Sequence, residues 1–242
     1  MQEFLDQYDN KATIQILENQ LVVIGNFATV TSIEIILEKN AKLEIYEYTV
    51  DKKTLVNNQN VKITQKSNSN LKWVKIIQAT SDHILNISVT ENNCVTEIYN
   101  IVYPLSTEKI SIEQNITSQS SNNKITHKTK SVVKSSSTVS IKHSVCVPFL
   151  ANNTEVNQKI NVINTNKLAK INLQPTLEIE SANIKCEHGA SIGSIDEVQL
   201  RYMSCRGLDL EKCTELITKS NFEEIINKLD ILCVKEQFYK LY

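Results

Sequence analysis

Residues 174–222 read QPTLEIESANIKCEHGASIGSIDEVQLRYMSCRGLDLEKCTELITKSNF, and the period of the chain changes inside this stretch. Through Leu177, Ile179 and Ile184 the apolar residues fall on alternate positions, as on one face of a β-strand. After Ile192 the pattern turns helical. Ser194-Ile195-Asp196-Glu197 is an S-x-x-E capping box, and Gly207 is placed to end that helix as its C′ residue. The stretch also holds three of the four glycines (Gly189, Gly193, Gly207) and both arginines (Arg201, Arg206).

Working back towards the N-terminus, the alternation persists. Ile33-Ile35-Leu37, Leu43-Ile45, Ile84-Leu85-Ile87-Val89, Val139-Ile141, Val145-Val147, Ile160-Val162 and Ile171-Leu173 space apolar residues by two or nearly so, and β-branched residues dominate. Asn, Ser, Lys and Thr clusters between the runs suit turns. The pattern predicts an all-β body from about Thr13 to Ile192, with no helix between Thr29 and Val102. The most polar stretch, Asn115 to Ser136, reads as solvated corners or a loop excursion. With so little glycine and proline, two-residue hairpins lack their usual residues. A solenoid with stacked asparagine corners suits the composition, yet no fixed-length repeat appears, so periodicity leaves sandwich and solenoid open.

Working forwards, Asp209 can cap a second helix with Leu210, Cys213, Leu216 and Ile217 on its apolar face. Ser220-Asn221-Phe222-Glu223 repeats the capping box, which predicts a third helix carrying Phe222, Ile225, Ile226, Leu229, Leu232 and Cys233. Three short helices would cover the open end of a solenoid. The organisation is then a β core over 1–192 and a helical segment over 193–242.

Composition narrows the function classes. A formal net charge of −1 in 242 residues argues against nucleic-acid or anionic-membrane binding. The acidic, polar start and the lack of a long apolar run predict a cytoplasmic chain. Six scattered cysteines without a C-x-x-C pair read as free thiols. No phosphate loop, metalloprotease or serine-hydrolase motif occurs.

Cys186 and His188 are two apart in the last strand, so they share a face while Glu187 takes the other. A thiolate and an imidazole together form half of a site for iron or a cluster intermediate, which another chain would have to complete. Read alone, without any resemblance, the pair is a buried strand cysteine and a hydrogen-bonded histidine rather than a site. His143 shares an apolar face and reads as a core residue; His83 and His127 read as surface. Gly189 and Gly193 read as positions needing positive φ or close packing.

The ordered elements LEI, KCEHGASIG, the DE pair, an L-x-Y step and an S-x-RG step resemble the C-terminal signature of the SufD family. These are non-ATPase subunits of the SUF iron–sulfur cluster assembly system. The resemblance implies a right-handed parallel β-helix with a helical C-terminus, and a scaffold rather than an enzyme. It implies pairing with a SufB-like subunit, docking of the SufC-like ABC ATPase, and a transient iron or Fe–S cluster at the SufB interface, with no tightly bound cofactor. On that pattern His188, with Cys186, handles the cluster, and Tyr202, Arg206, Gly207 and Phe222 contact a partner. The HGASIG form favours SufD over a SufB-like scaffold. Relatives carry a helical N-terminal region for which this chain has too few residues, so it reads as a shortened member. A homodimer when alone, and a β-helix carbohydrate-active enzyme, are the alternatives.

Overall fold

The computed structural model of the chain describes residues 12–25, 31–49, 58–134 and 136–229. Strands β1 (Ala12–Ile16), β3 (Ser32–Leu37), β5 (Asn58–Gln65), β7 (Ser81–Val89), β9 (Lys109–Ser118), β11 (Thr138–Val147) and β13 (Lys170–Ile179) form one sheet in that order. Strands β2 (Leu21–Gly25), β4 (Lys42–Thr49), β6 (Asn70–Ile77), β8 (Val95–Val102), β10 (Lys124–Val133), β12 (Thr154–Asn164) and β14 (Ile184–Gly193) form the other. Every pairing joins a strand to the one two ahead, in parallel. The chain therefore coils from sheet to sheet as a parallel β-helix. The polar stretch after Asn115 is not an excursion: it finishes β9 and supplies β10, whose Ile125 and Val133 face inward. No helix occurs between Thr31 and Val102 among the described residues; Thr29 lies outside them.

Inward positions stack in columns. One column runs Ile35, Ile63, Ile87, Ile116, Val145, each in register with the next and all buried. Each such side chain contributes about 1.5–3 kcal/mol on leaving water.

The turns explain how a chain so poor in glycine coils at all. Asn19, Asn40, Asn68, Asn93, Asn122 and Asn153 occupy the left-handed region, with φ between 55° and 61°. Asparagine tolerates this conformation better than other L-residues with a Cβ. The amides also stack: Asn68 donates to Asn40 (3.1 Å), Asn93 to Asn68 (3.2 Å) and Asn153 to Asn122 (3.3 Å). Those partners are 28, 25 and 31 residues apart. Coil length varies while corner chemistry repeats, which is why no fixed period shows in the sequence.

The C-terminal segment differs from expectation. Helix α1 (Glu197–Cys205) is capped by Asp196, not Ser194, through the Asp196 carboxylate accepting from the Val198 amide at 2.9 Å. It ends in a Schellman turn at Gly207, φ 87°. Helix α2 (Leu210–Ile226), capped by Asp209, runs unbroken through Ser220. The expected second and third helices are one, because Cys213, Ile217, Thr218, Phe222, Ile225 and Ile226 make a continuous buried stripe. Leu232 and Cys233 lie outside the described residues.

Helix α2 does not close the solenoid. It lies on the outer face of the even-strand sheet, packing Phe222, Ile225 and Ile226, with Leu229 just beyond its end, against Tyr46, Val74, Ile76, Tyr99, Ile101, Tyr103 and Val132. Glu224 adds ion pairs to Lys128 and Lys130, both 2.8 Å, which pull its carboxyl down to about 2.

Candidate functional site at the open end of the solenoid

Strands β13 and β14 end their sheets, so among the described residues no coil is stacked beyond the last one. Its inward positions are the ones a further coil would bury. Ile171, Leu173, Pro175 and Leu177 continue columns through buried Val139, Ile141, His143 and Val145, yet they are only half-buried. Ile179 and Ile192 are 36% and 53% exposed. The result is an apolar strip flanked by two strand edges that no described residue pairs, a surface that favours association.

Cys186 and His188 belong to this strip. They stand in register with Val156 and Gln158, which are 3% and 0% exposed, while both are themselves exposed. Glu187 takes the opposite face, where Lys159 (2.7 Å) holds its carboxyl below the usual range. His188 makes one recorded hydrogen bond, Nδ1 to the Gln158 Oε1 at 2.7 Å. A thiol and an imidazole offer a soft and a borderline donor of the kinds that hold iron or an iron–sulfur species. They cannot complete a site: among the described residues no group of three metal-ligating side chains gathers anywhere. The missing ligands would have to arrive with whatever covers the end.

Behind His188 lies a feature that alternation alone does not disclose. The interior carries polar side chains coil after coil. Lys75 is paired with Glu47 at 3.1 Å and donates to Gln59 at 2.7 Å, beside His83. Asn100 donates to Gln114 and Thr129, both at 2.8 Å. The imidazole of His127 bonds Gln114 through Nε2 at 2.6 Å and stacks on His143, ring centroids 3.5 Å apart. Because Gln114 Oε1 already accepts from Asn100, the proton of this bond sits on His127 Nε2. The Nδ1 atoms of His127 and His143 find no partner among the described residues.

His83 and His127 are therefore core residues, 4% and 0% exposed, not surface ones. Each lies on the inward side of a strand whose outward-facing residues are mostly polar. His143, expected in the core, is at 0%. Burial drives all three below the ordinary histidine range, His127 to about 3.

Around α1 the candidates separate. No residue of α1 is buried, and Val198, Tyr202 and Leu210 are 74%, 61% and 64% exposed. Arg206 lies over the Tyr202 ring, 5.0 Å from its centroid, and donates to its hydroxyl at 2.9 Å. Gly207 is a helix terminator. Phe222, by contrast, is wholly buried, edge-on to Tyr103 at 5.9 Å, and packs within the chain instead of facing a partner. Gly189 and Gly193 show neither reason expected of them: φ is not positive, and a Cβ at either would meet nothing within 4 Å. No described helix is long and apolar enough to cross a membrane, and the five described cysteines are free thiols.

Comparison with known proteins adds an independent line. The family model for the SUF system FeS cluster assembly SufBD core domain matches residues 3–221. The chain is 36% identical over 69 residues to the chloroplastic protein ABCI7 of Arabidopsis thaliana, covering 28% of this chain and 14% of the relative. It is 34% identical over 71 residues to the iron–sulfur cluster assembly protein SufD of Escherichia coli, covering 29% and 17%. With SufD of Bacillus subtilis the identity is 29% over 87 residues, covering 36% and 20%. Each match spans a fifth or less of the relative's own length.

Proposed function

The chain belongs to the SufBD core family of the SUF iron–sulfur cluster assembly system, and from that membership we propose that it is a SufD-like scaffold subunit that pairs with a SufB-like chain through the open end of its solenoid. The observation that carries this reading is the last coil: among the described residues nothing continues its inward columns or pairs its two strand edges, and Cys186 and His188 stand among the exposed positions. A second β-helix abutting this end would bury the apolar strip, pair the edges, and bring the ligands that Cys186 and His188 lack. Iron or a forming cluster is cargo there, held between two chains, and the scaffold catalyses no bond-breaking of its own. The exposed helix α1, with Tyr202, Arg206 and Gly207, is the surface we assign to a SufC-like ATPase. No residue of α1 is buried, and Val198 and Tyr202 are among the most exposed large side chains of the described fold, which supports that role.

Co-expression with SufB-like and SufC-like chains tests both assignments. A ternary complex is expected, with iron and acid-labile sulfide. His188→Ala should leave melting temperature and assembly nearly unchanged, because an exposed rim histidine contributes little packing, while iron and sulfide per complex drop sharply. His143→Ala should lower stability by a few kcal/mol, as loss of a buried polar group does, with cluster per folded complex preserved. A stable homodimer that excludes the SufB-like chain would defeat the pairing. Cluster loss that merely tracks stability in both variants would defeat the role of His188.

A further inference from the structure

We infer that Gln158 is a positioning residue that holds His188 as the Nδ1–H tautomer, so that Nε2 is the atom offered at the open end. This rests on the reading of His188 as a cluster-handling residue, but its physical basis is separate. Gln158 is fully buried one coil behind His188 and in register with it. Its carboxamide makes two hydrogen bonds. Nε2 donates to the Thr176 carbonyl across the solenoid at 3.3 Å, and Oε1 faces His188 Nδ1 at 2.7 Å. Turning the amide over would set Oε1 against the Thr176 carbonyl, two acceptors with no proton between them. The Thr176 carbonyl therefore fixes the amide, and the amide fixes the imidazole: at Oε1 only a proton on Nδ1 makes a bond.

The consequence is specific. A neutral histidine has one lone pair on its ring nitrogens, and the hydrogen bond made by the other nitrogen decides where it lies. Here it lies on Nε2, for which no protein partner is recorded among the described residues. Exposed to water without such a partner, an imidazole would exchange between tautomers and spend much of its time protonated on Nε2, unable to accept a metal there. Partners that orient ligating histidines in this way are commonly worth ten- to a hundredfold in metal affinity. Gln158 adds a second constraint, since its own burial leaves its carboxamide little room to follow a moving ring.

The test uses the full chain with 15N-labelled imidazoles, whose ring-nitrogen shifts distinguish the two tautomers. Of the four histidines, His188 is identified by the resonance lost in H188A. At about pH 8, above the ordinary histidine range, wild type should show His188 protonated on Nδ1. Gln158→Leu removes the acceptor at similar volume and should shift His188 towards the Nε2–H form. Gln158→Glu keeps an acceptor at that point and should restore the wild-type pattern, which a loss of packing alone would not do. Titration with Co2+ alone gives the second readout: an affinity loss of about tenfold in Gln158→Leu, recovered in Gln158→Glu. Nε2 protonation of His188 in wild type, or a tautomer ratio indifferent to Gln158→Leu, overturns the inference. If the tautomer responds as expected but H188A binds Co2+ like wild type, the positioning stands and the metal-holding role of His188 falls.

Discussion

His127, Gln158 and His188 occupy one column on three successive coils. The first two are fully buried, bonded within the core, and His127 has lost its tendency to charge. The third has the same strand position and the same inward orientation, but no described coil beyond it, and is exposed. The difference is made by neighbours and not by residue type. In a solenoid the same alternation builds a core wherever a coil follows and an interface wherever one does not. Helices α1 and α2 repeat the lesson, one without a buried residue and the other held on a sheet through buried Phe222, Ile225 and Ile226.

The largest expected effect contrasts those two helices. Phe222→Ala removes a buried ring from the seam between α2 and the sheet, a change that costs about 3–5 kcal/mol in well-packed sites. Tyr202→Ala on α1 should change stability by no more than about 0.5 kcal/mol. Chemical denaturation of both variants decides it. Comparable losses would mean that α1 is packed as tightly as α2, and the distinction between them would collapse.

The buried histidines should make stability depend on pH in a way exposed His188 cannot. Unfolded imidazoles charge near 6.5, whereas burial holds His127 at about 3 and His83 and His143 well below normal. Between these values the unfolded chain binds more protons, so stability is full above pH 6.5 and falls as pH drops below it. Each group contributes up to about 1.4 kcal/mol per pH unit in that window. His127→Gln keeps a donor for Gln114 and cannot charge, so its stability between pH 7 and pH 5 should decline less steeply than wild type. An unchanged slope would show that His127 is not held neutral. At lower pH the Glu224 ion pairs add a second decline, from its ordinary 4.5 towards about 2, which Glu224→Gln should remove.

Corner asparagines give a smaller effect. Asn93→Ala places a side chain without a local amide bond at φ 61°, at roughly 1–2 kcal/mol for a left-handed alanine. Asn93→Gly relieves the backbone and loses only the stacked amide, so it should fall between alanine and wild type in melting temperature. Alanine and glycine indistinguishable from each other would put the stabilisation in the amide stack and not in the backbone.

How much of this was legible in the sequence depended on whether neighbours in the chain or neighbours in space decide the outcome. Alternation along 139–147 and 170–179 shows a strand, and the motif around His188 shows the family; both are local. Sheet pairing between residues about 30 apart is not local, and corners of variable length hid the repeat, although the asparagine at each corner was a usable signal. Ser220 offered a capping box, but the stripe from Cys213 to Ile226 outweighed it, since breaking the helix would have turned Phe222 away from Tyr103. His127 lay between Thr126 and Lys128 and looked solvated, yet inward and outward positions of one strand differ in burial regardless of sequence neighbours. Gln158 could not have been singled out, because only the coil behind His188 identifies it.

The smallest expected effect tests the open end most directly. Gly189 is on the last strand, on the face opposite His188, and a Cβ there would meet nothing within 4 Å. Its φ is not in the left-handed region, so alanine suits the backbone, and restricting the unfolded chain should leave stability unchanged or raised by as much as about 1 kcal/mol. Within the chain, then, Gly189→Ala should be silent. If β14 is instead the edge against which another chain docks, its outer face approaches that partner, and a methyl group harmless in the isolated chain would be felt in the assembly. The expected outcome is a melting temperature equal to or above wild type for the chain alone, with weaker capture of the SufB-like chain. Lys185→Ala, on the same face near the start of the strand, sets the scale for a side chain lost from that face. Weakened folding in the isolated variant would mean that the strand already meets a neighbour there, and the contrast between closed core and open end would have to be redrawn.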